Sequence, residues 1–227
     1  LDQLLRQPKR LALLAYLATP TPGTWHRRDT LLGLFWPGLD TAHARTSLRN
    51  ALYMVRQVVG EPALQTRGDE EVSVNPAVVE TDLASVSAAL SDGRHGDALK
   101  AYVGNLLPGL YPPDSEGFQR WLDEERERLR GRVAEAGKRH AAELERVGRL
   151  EDCRATLRRV LEIHADDETA VRALMSLSHA MGDLAGALGA YEAYRLRLAR
   201  EYEVEPAPET VALASSIRRG SNSSKAE

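Results

Sequence analysis

The chain has 227 residues, enough for one large domain or two ordinary ones, and 43% of them are hydrophobic but only 5% aromatic. A formal charge of −3 excludes a chain that is basic throughout, and no run of 18 apolar residues is present to form a membrane-spanning helix. A single cysteine, Cys153, excludes an intramolecular disulfide and a cysteine metal cluster.

The charge is unevenly spread. Residues 1–60 hold eight Lys or Arg against three Asp or Glu, a balance of +5, which leaves −8 for the remainder. A basic reader joined to an acidic body suits a DNA-binding regulator. The N-terminus lacks the basic-then-apolar pattern of a secretory signal. The expected location is therefore cytoplasmic.

The segment Arg28 to Pro37 reads as a helix, because Leu31, Leu34 and Phe35 share one face at i, i+3, i+4. Pro37 and Gly38 force a turn. Asp40 or Thr41 then caps a second helix, Thr41 to Val59, which ends at Gly60 with Pro62 beyond. At about 100° per residue, Ala44, Leu48, Ala51, Val55 and Val59 form a core stripe, with Leu52 and Val58 at its edges. His43, Thr46, Arg49, Asn50, Tyr53 and Gln57 lie opposite, and Arg45 and Arg56 flank the stripe.

Arginine suits guanine, asparagine suits adenine, and threonine serves either. Arg45, Thr46, Arg49 and Asn50 occupy the first two turns, which in a recognition helix reach the groove floor. A merely solvated helix face would carry similar residues. The next segment argues against that: Leu64 to Pro76 has apolar and β-branched residues around a Gly68-Asp69 turn, a strand–turn–strand pattern with Arg67 near its tip. Glu70 and Glu71 beside it would repel DNA. Trp25, ahead of the first of these helices, is read as a hydrophobic staple and Trp36 as a core anchor.

Residues 8 to 82 resemble the DNA-binding half of the bacterial antibiotic regulatory proteins, the SARP-type regulators, whose winged helix is similar to that of OmpR-like response regulators. The likeness rests on Lys9 to Ala18, Arg28-Asp29 through Leu34-Phe35-Trp36-Pro37, Ala44 to Leu52, and Val72 to Asp82. It implies a small β-sheet upstream of the first helix. The sequence starts almost directly at that helix, so the expectation is a sheet that is missing or a chain that is a fragment.

From Thr81 the strand pattern ends. Thr81 or Asp82 caps a helix to about Ser91, a second helix is expected from Asp97 to Asn105, and Pro108, Gly109, Pro112 and Pro113 form a loop. Glu116 to about Val147 reads as a long helix supported by pairs such as Glu124–Arg128 and Glu135–Arg139. Gly148-Arg149-Leu150 and Gly182-Asp183-Leu184 then recur 34 residues apart, the period of tetratricopeptide repeats. Asp166 to Thr169 and Pro206 to Thr210 mark helix starts. Cys153 falls in a helical pattern and is expected to be a small buried residue.

The SARP-type regulators carry a helical region of this kind, the bacterial transcriptional activation domain. The match runs through Asp82-Leu83, Asp97 to Tyr102, Leu107-Pro108-Gly109, Phe118 to Trp121, and Glu205 to Thr210. The expected fold is mainly α: a winged helix-turn-helix with a small β wing over 1–80, a tetratricopeptide-like domain over 81–220, and a disordered tail at 221–227. The resemblance implies a DNA reader coupled to a body for dimerisation and partner contacts, with RNA polymerase or a second copy as partner.

Enzyme chemistry has no support. His-Glu-x-x-His, a phosphate-binding Gly-x4-Gly-Lys-Ser/Thr and Gly-x-Ser-x-Gly are absent, and the six histidines have no metal-ligand spacing. Gly182, Gly186 and Gly189 lack the spacing of a dinucleotide fingerprint and are read as close helix packing. No cofactor or metal is expected.

The leading expectation is a sequence-specific transcriptional regulator that binds double-stranded DNA. Arg45, Thr46, Arg49, Asn50 and Tyr53 enter the major groove, Arg27, Arg28 and Arg56 sit on phosphates, and Arg67 acts from the wing. The alternative is an interaction or signal-sensing scaffold with a vestigial winged helix.

Overall fold

The computed structural model describes residues 7–19 and 23–223. In chain order the first elements are helix α1 (Pro8–Ala18), strand β1 (His26–Arg27), α2 (Arg28–Phe35) and α3 (Thr41–Val59). Strands β2 (Leu64–Arg67) and β3 (Glu71–Val74) follow, then α4 (Asp82–Ser91), α5 (His95–Ala101) and α6 (Glu116–Arg146). The last elements are α7 (Leu150–Ile163), α8 (Glu168–Ala180), α9 (Leu184–Glu201) and α10 (Pro208–Ser223). The fold is mainly α, a winged helix-turn-helix followed by a tetratricopeptide-like helical repeat.

The chain divides into two compact units. One takes residues up to Asp92 with Lys100–Leu129, and the other takes Gly93–Leu99 with residues from Arg130 onward.

In the first unit, α2 ends where Trp36 donates its amide to the Leu32 carbonyl and Pro37 stops the ladder. Asp40 caps α3 by accepting from the amides of Ala42 and His43, each at 3.1 Å. Gly60 ends it at φ +111°. The wing is an antiparallel hairpin with Leu64 opposite Val74 and Arg67 opposite Glu71. Gly68 supplies its turn at φ +55°, a conformation that costs a side chain. β1 adds to β3, so the sheet order is β1-β3-β2. Residues 1–6, upstream of α1, lie outside the described residues.

Leu13, Leu17, Leu31, Phe35, Leu48, Leu52, Val55, Val72 and Val74 are buried together. The same core takes in Leu110, Phe118 and Leu122. Each large apolar side chain removed from water stabilises the fold by about 1.5–3 kcal/mol. An aromatic cluster joins the segments: Tyr16 and Trp121 at 4.6 Å between ring centroids, and Phe118 and Trp121 at 5.4 Å. Trp121 and Trp36 pack as core anchors, half-buried.

In the second unit the 34-residue repeat has a physical form. Gly148 and Gly182 sit at φ +76° and +79°. The Gly148 amide bonds the Glu145 carbonyl and the Arg149 amide the Leu144 carbonyl; Gly182 to His179 and Asp183 to Ser178 repeat the pattern. These are paired helix-ending motifs that need a left-handed residue. Leu157 and Tyr191, equivalent in that register, are both buried, and Cys153 is buried with burial raising its thiol pKa.

Several expectations are corrected. The second helix of this half is His95–Ala101, not Asp97–Asn105; Gly104, a poor helix former, lies in its place. Arg128 pairs with Glu125 rather than Glu124, while Arg139 does bond Glu135, at 3.2 Å. Gly189 has open space where a Cβ would stand, and Gly186 faces Asp183 of its own helix start rather than another helix. The close approach is at Gly137, where a Cβ would overlap Val160 and press on Leu99. Helix α10 continues to Ser223, into the segment expected as tail, and residues 224–227 lie outside the described residues.

Candidate nucleic-acid interface

The amphipathic pattern of α3 buries Ala44, Leu48, Ala51, Leu52 and Val55. Its other side therefore faces solvent, and Arg45, Thr46, Arg49, Asn50 and Tyr53 are all exposed, Tyr53 at 56% despite its size. The Thr46 hydroxyl donates to the Ala42 carbonyl at 3.0 Å, which leaves its oxygen as an acceptor.

A groove of about 370 Å³ runs between the start of α2, the first turns of α3 and the wing tip. It is lined by Arg27, Arg28, Arg45 and Arg49, with Leu48 beneath and Asp29, Asp69 and Glu70 among them. Its shape has a backbone cause. The Arg28 amide donates to the Glu70 carbonyl at 2.8 Å, and Arg27 pairs with Glu71 across the sheet. The two-residue strand β1 thus ties the wing tip to the start of α2.

Arg45 Nη2 lies 3.7 Å from Asp29 Oδ1, with both side chains mostly exposed. Arg49 makes no ion pair among the described residues. Arg28 Nε is buried and without a partner among them. Since Nε–H is one donor of a five-donor fork, an oxyanion in the groove could satisfy it.

Other expected residues stand apart from the groove. Arg56 Nε is 3.7 Å from Glu61 at the far end of α3. Arg67 stacks its guanidinium over the Trp25 ring at 4.0 Å and approaches Glu71 at 3.9 Å. Trp25 therefore holds a wing arginine, a role different from the staple expected of it. Stacking occupies the face of the guanidinium and leaves its in-plane donors available.

His43, at the start of α3, places Nδ1 2.6 Å from Asp40 Oδ2. The hydrogen bonds from the His43 amide and ring hold the Asp40 carboxyl below its ordinary range. His26 packs on Tyr16 at 5.1 Å, and burial lowers its pKa against a backbone hydrogen bond to Leu17 that raises it.

Sequence reasoning missed Asp29 and Asp69 as groove residues. Asp29 lies at the start of α2, which the β1–β3 pairing sets beside the wing tip, and its Oδ1 is 3.7 Å from Arg45 Nη2. Among the described residues no group of three or more His, Cys, Asp or Glu is placed to hold a metal ion. Among them too, no helix is long and apolar enough to cross a membrane.

The family model of the bacterial transcriptional activator domain matches residues 77–218. No curated protein matches the chain. Among solved structures, Mycobacterium tuberculosis EmbR in complex with a low affinity phosphopeptide is similar in fold. Its TM-score is 0.62 at 21% identity, and the match covers 94% of this chain and 60% of that one.

Proposed function

We infer, because this chain belongs to the bacterial transcriptional activator domain family, that it is a sequence-specific DNA-binding regulator of transcription, acting as an activator in the cytoplasm. Helix α3 lies in the major groove of double-stranded DNA, as in OmpR-like winged helices, with Arg45, Thr46, Arg49, Asn50 and Tyr53 toward the bases. Arg27, Arg28 and Arg56 hold backbone phosphates, and Arg67 acts from the wing. The observation that carries this reading is the convergence of Arg27, Arg28, Arg45 and Arg49 on one groove beside the exposed face of α3.

The division of labour follows the sequence pattern. Residues 1–80 read DNA. Residues 81–220 supply contacts to a second copy or to RNA polymerase, since stacked helical pairs present extended surfaces to partners. Two copies would read half-sites about one DNA turn apart. The reading needs no cofactor and no catalytic step.

Asp29, Asp69 and Glu70 in the same groove favour a second reading, an interaction scaffold whose winged helix no longer binds DNA. Selection of random duplex DNA by the purified chain, with an Arg45→Ala/Arg49→Ala variant as control, separates the two. A motif enriched by the chain and lost in the variant supports the regulator. No enrichment by a folded protein supports the scaffold. Steep loss of DNA affinity with salt is a further mark of the first reading.

A further inference from the structure

A second cavity, of about 390 Å³, lies within the first unit, away from the arginine groove. Helix α4, the loop after Ala101 and the Leu129 turn of α6 line it, and one side stays open to solvent. Its walls are apolar side chains, chiefly Leu83, Val86, Leu106, Leu107 and Leu129. Asp82 is the one charged residue that lines it, and Tyr102 and Asn105 are its polar side chains.

The loop that lines the pocket is held in place at a conformational cost. Leu107 adopts φ +48°, a left-handed backbone that a leucine rarely takes. Arg126 fixes it there, donating Nε to the Leu106 carbonyl at 2.8 Å and Nη2 to the Leu107 carbonyl at 2.6 Å. The Tyr102 hydroxyl donates to Asn105 Oδ1 at 3.2 Å and braces the same loop. A strained loop clamped in place along a mainly apolar pocket is what a preformed ligand site requires. Val103, at the rim, is 78% exposed.

We propose that this cavity binds a small amphipathic amine, with its apolar body among Leu83, Val86, Leu106 and Leu129 and its ammonium on the Asp82 carboxylate. The volume lies in the range of small-ligand sites, about 300–1,000 Å³. The charge decides the head group. Asp82 Oδ1 accepts from the Leu83 amide at 2.8 Å, and the carboxylate keeps further lone pairs for a cation. No lining residue carries a positive charge that would serve an anion instead. The site does not depend on the DNA reading. Leu106 and Leu107 also pack against the winged-helix core, so occupancy would stiffen the unit that carries α3.

The test uses the full chain and three probes with one apolar body: 4-phenylbutylamine, 4-phenylbutanol and 4-phenylbutanoate. Binding is followed by ligand-observed NMR titration and by the shift in thermal unfolding. The expected result is saturable binding of the amine, about five-fold tighter than the butanoate, as one partly exposed ion pair allows. Asp82→Asn, an exposed change that keeps an oxygen for the Leu83 amide, should remove that preference. Val86→Trp should fill the cavity and abolish binding of all three. The proposal is overturned if none of the probes saturates, if the butanoate binds as well as the amine, or if Asp82→Asn leaves the preference intact. Should Val86→Trp fail to fold, the Asp82→Asn comparison decides alone.

Discussion

The rings of Phe35 and Phe118 pack 5.1 Å apart, and both are fully buried. Phe35 closes α2 of the helix-turn-helix, and Phe118 opens α6. Around them the Ser115 hydroxyl bonds the Phe35 carbonyl at 3.4 Å, and Gly117 lies against Leu34 close enough that a Cβ would meet Leu34 Cδ2 at 3.3 Å. Assembly of the winged-helix core therefore needs residues well beyond the wing.

Removing Phe118 should unfold that core first. Phe118→Ala is expected to cost about 3–5 kcal/mol, because a large buried ring is lost and a cavity left. A piece ending at Asp92 lacks Leu110, Phe118 and Leu122 and should not melt cooperatively. Thermal unfolding followed by circular dichroism checks both, and a sharp native-like transition in the short piece would contradict the shared core.

The Arg45–Asp29 contact predicts an unusual gain. In the DNA-reading proposal, Arg49→Ala should weaken specific binding by about 1–3 kcal/mol if Arg49 makes a bidentate base contact. Asp29→Asn should strengthen binding by up to about five-fold, since it frees Arg45 and removes one repulsive charge at an exposed site. Electrophoretic titration at two salt concentrations measures both. Weaker binding by Asp29→Asn would mean that Asp29 orients Arg45 rather than competing for it.

How much of the fold and of the groove was legible in the sequence depends on the range of each interaction. The bounds of α2 and α3, the Asp40 cap, the Gly68 turn and the 34-residue repeat are local, fixed by a proline, a cap or a left-handed glycine within a few residues. The groove was only half legible. The sequence placed Arg45, flanking the core stripe, and Arg49, opposite it, in the first two turns of α3, but the union with Arg27 and Arg28 depends on β1, two residues long and too short to leave a pattern. Trp25 under Arg67, Phe118 against Phe35, and Val160 against Gly137 are tertiary contacts between distant segments, and nothing in the spacing of either partner announces them.

Gly137 makes a prediction for the second unit. A methyl group there would collide with Val160 Cγ2, which is itself fully buried, and with Leu99 Cδ1 at 3.3 Å. Helix propensity alone would favour alanine by about 1 kcal/mol. Overpacking costs about 1–3 kcal/mol and should win, because Val160 has no free space to enter. Gly137→Ala should therefore lower the chemical-denaturation midpoint, and an increase would show that α7 can shift outward at little cost.

Tyr194 predicts a loss of stability at high pH. Burial first, then the neighbouring Glu168, which also accepts its hydrogen bond, push the Tyr194 pKa from 10.0 up to about 12. The folded protein thus holds the phenolic proton more tightly than the unfolded chain. The stability that the protonated hydroxyl contributes is complete below pH 10.0 and declines as pH rises toward about 12. Tyr194→Phe has no such proton to lose. Denaturant titrations from pH 9 to 12, an interval of about three units, should show the two proteins converging in stability as pH rises. A constant difference between them across that interval would mean that Tyr194 ionises at the same pH in both states.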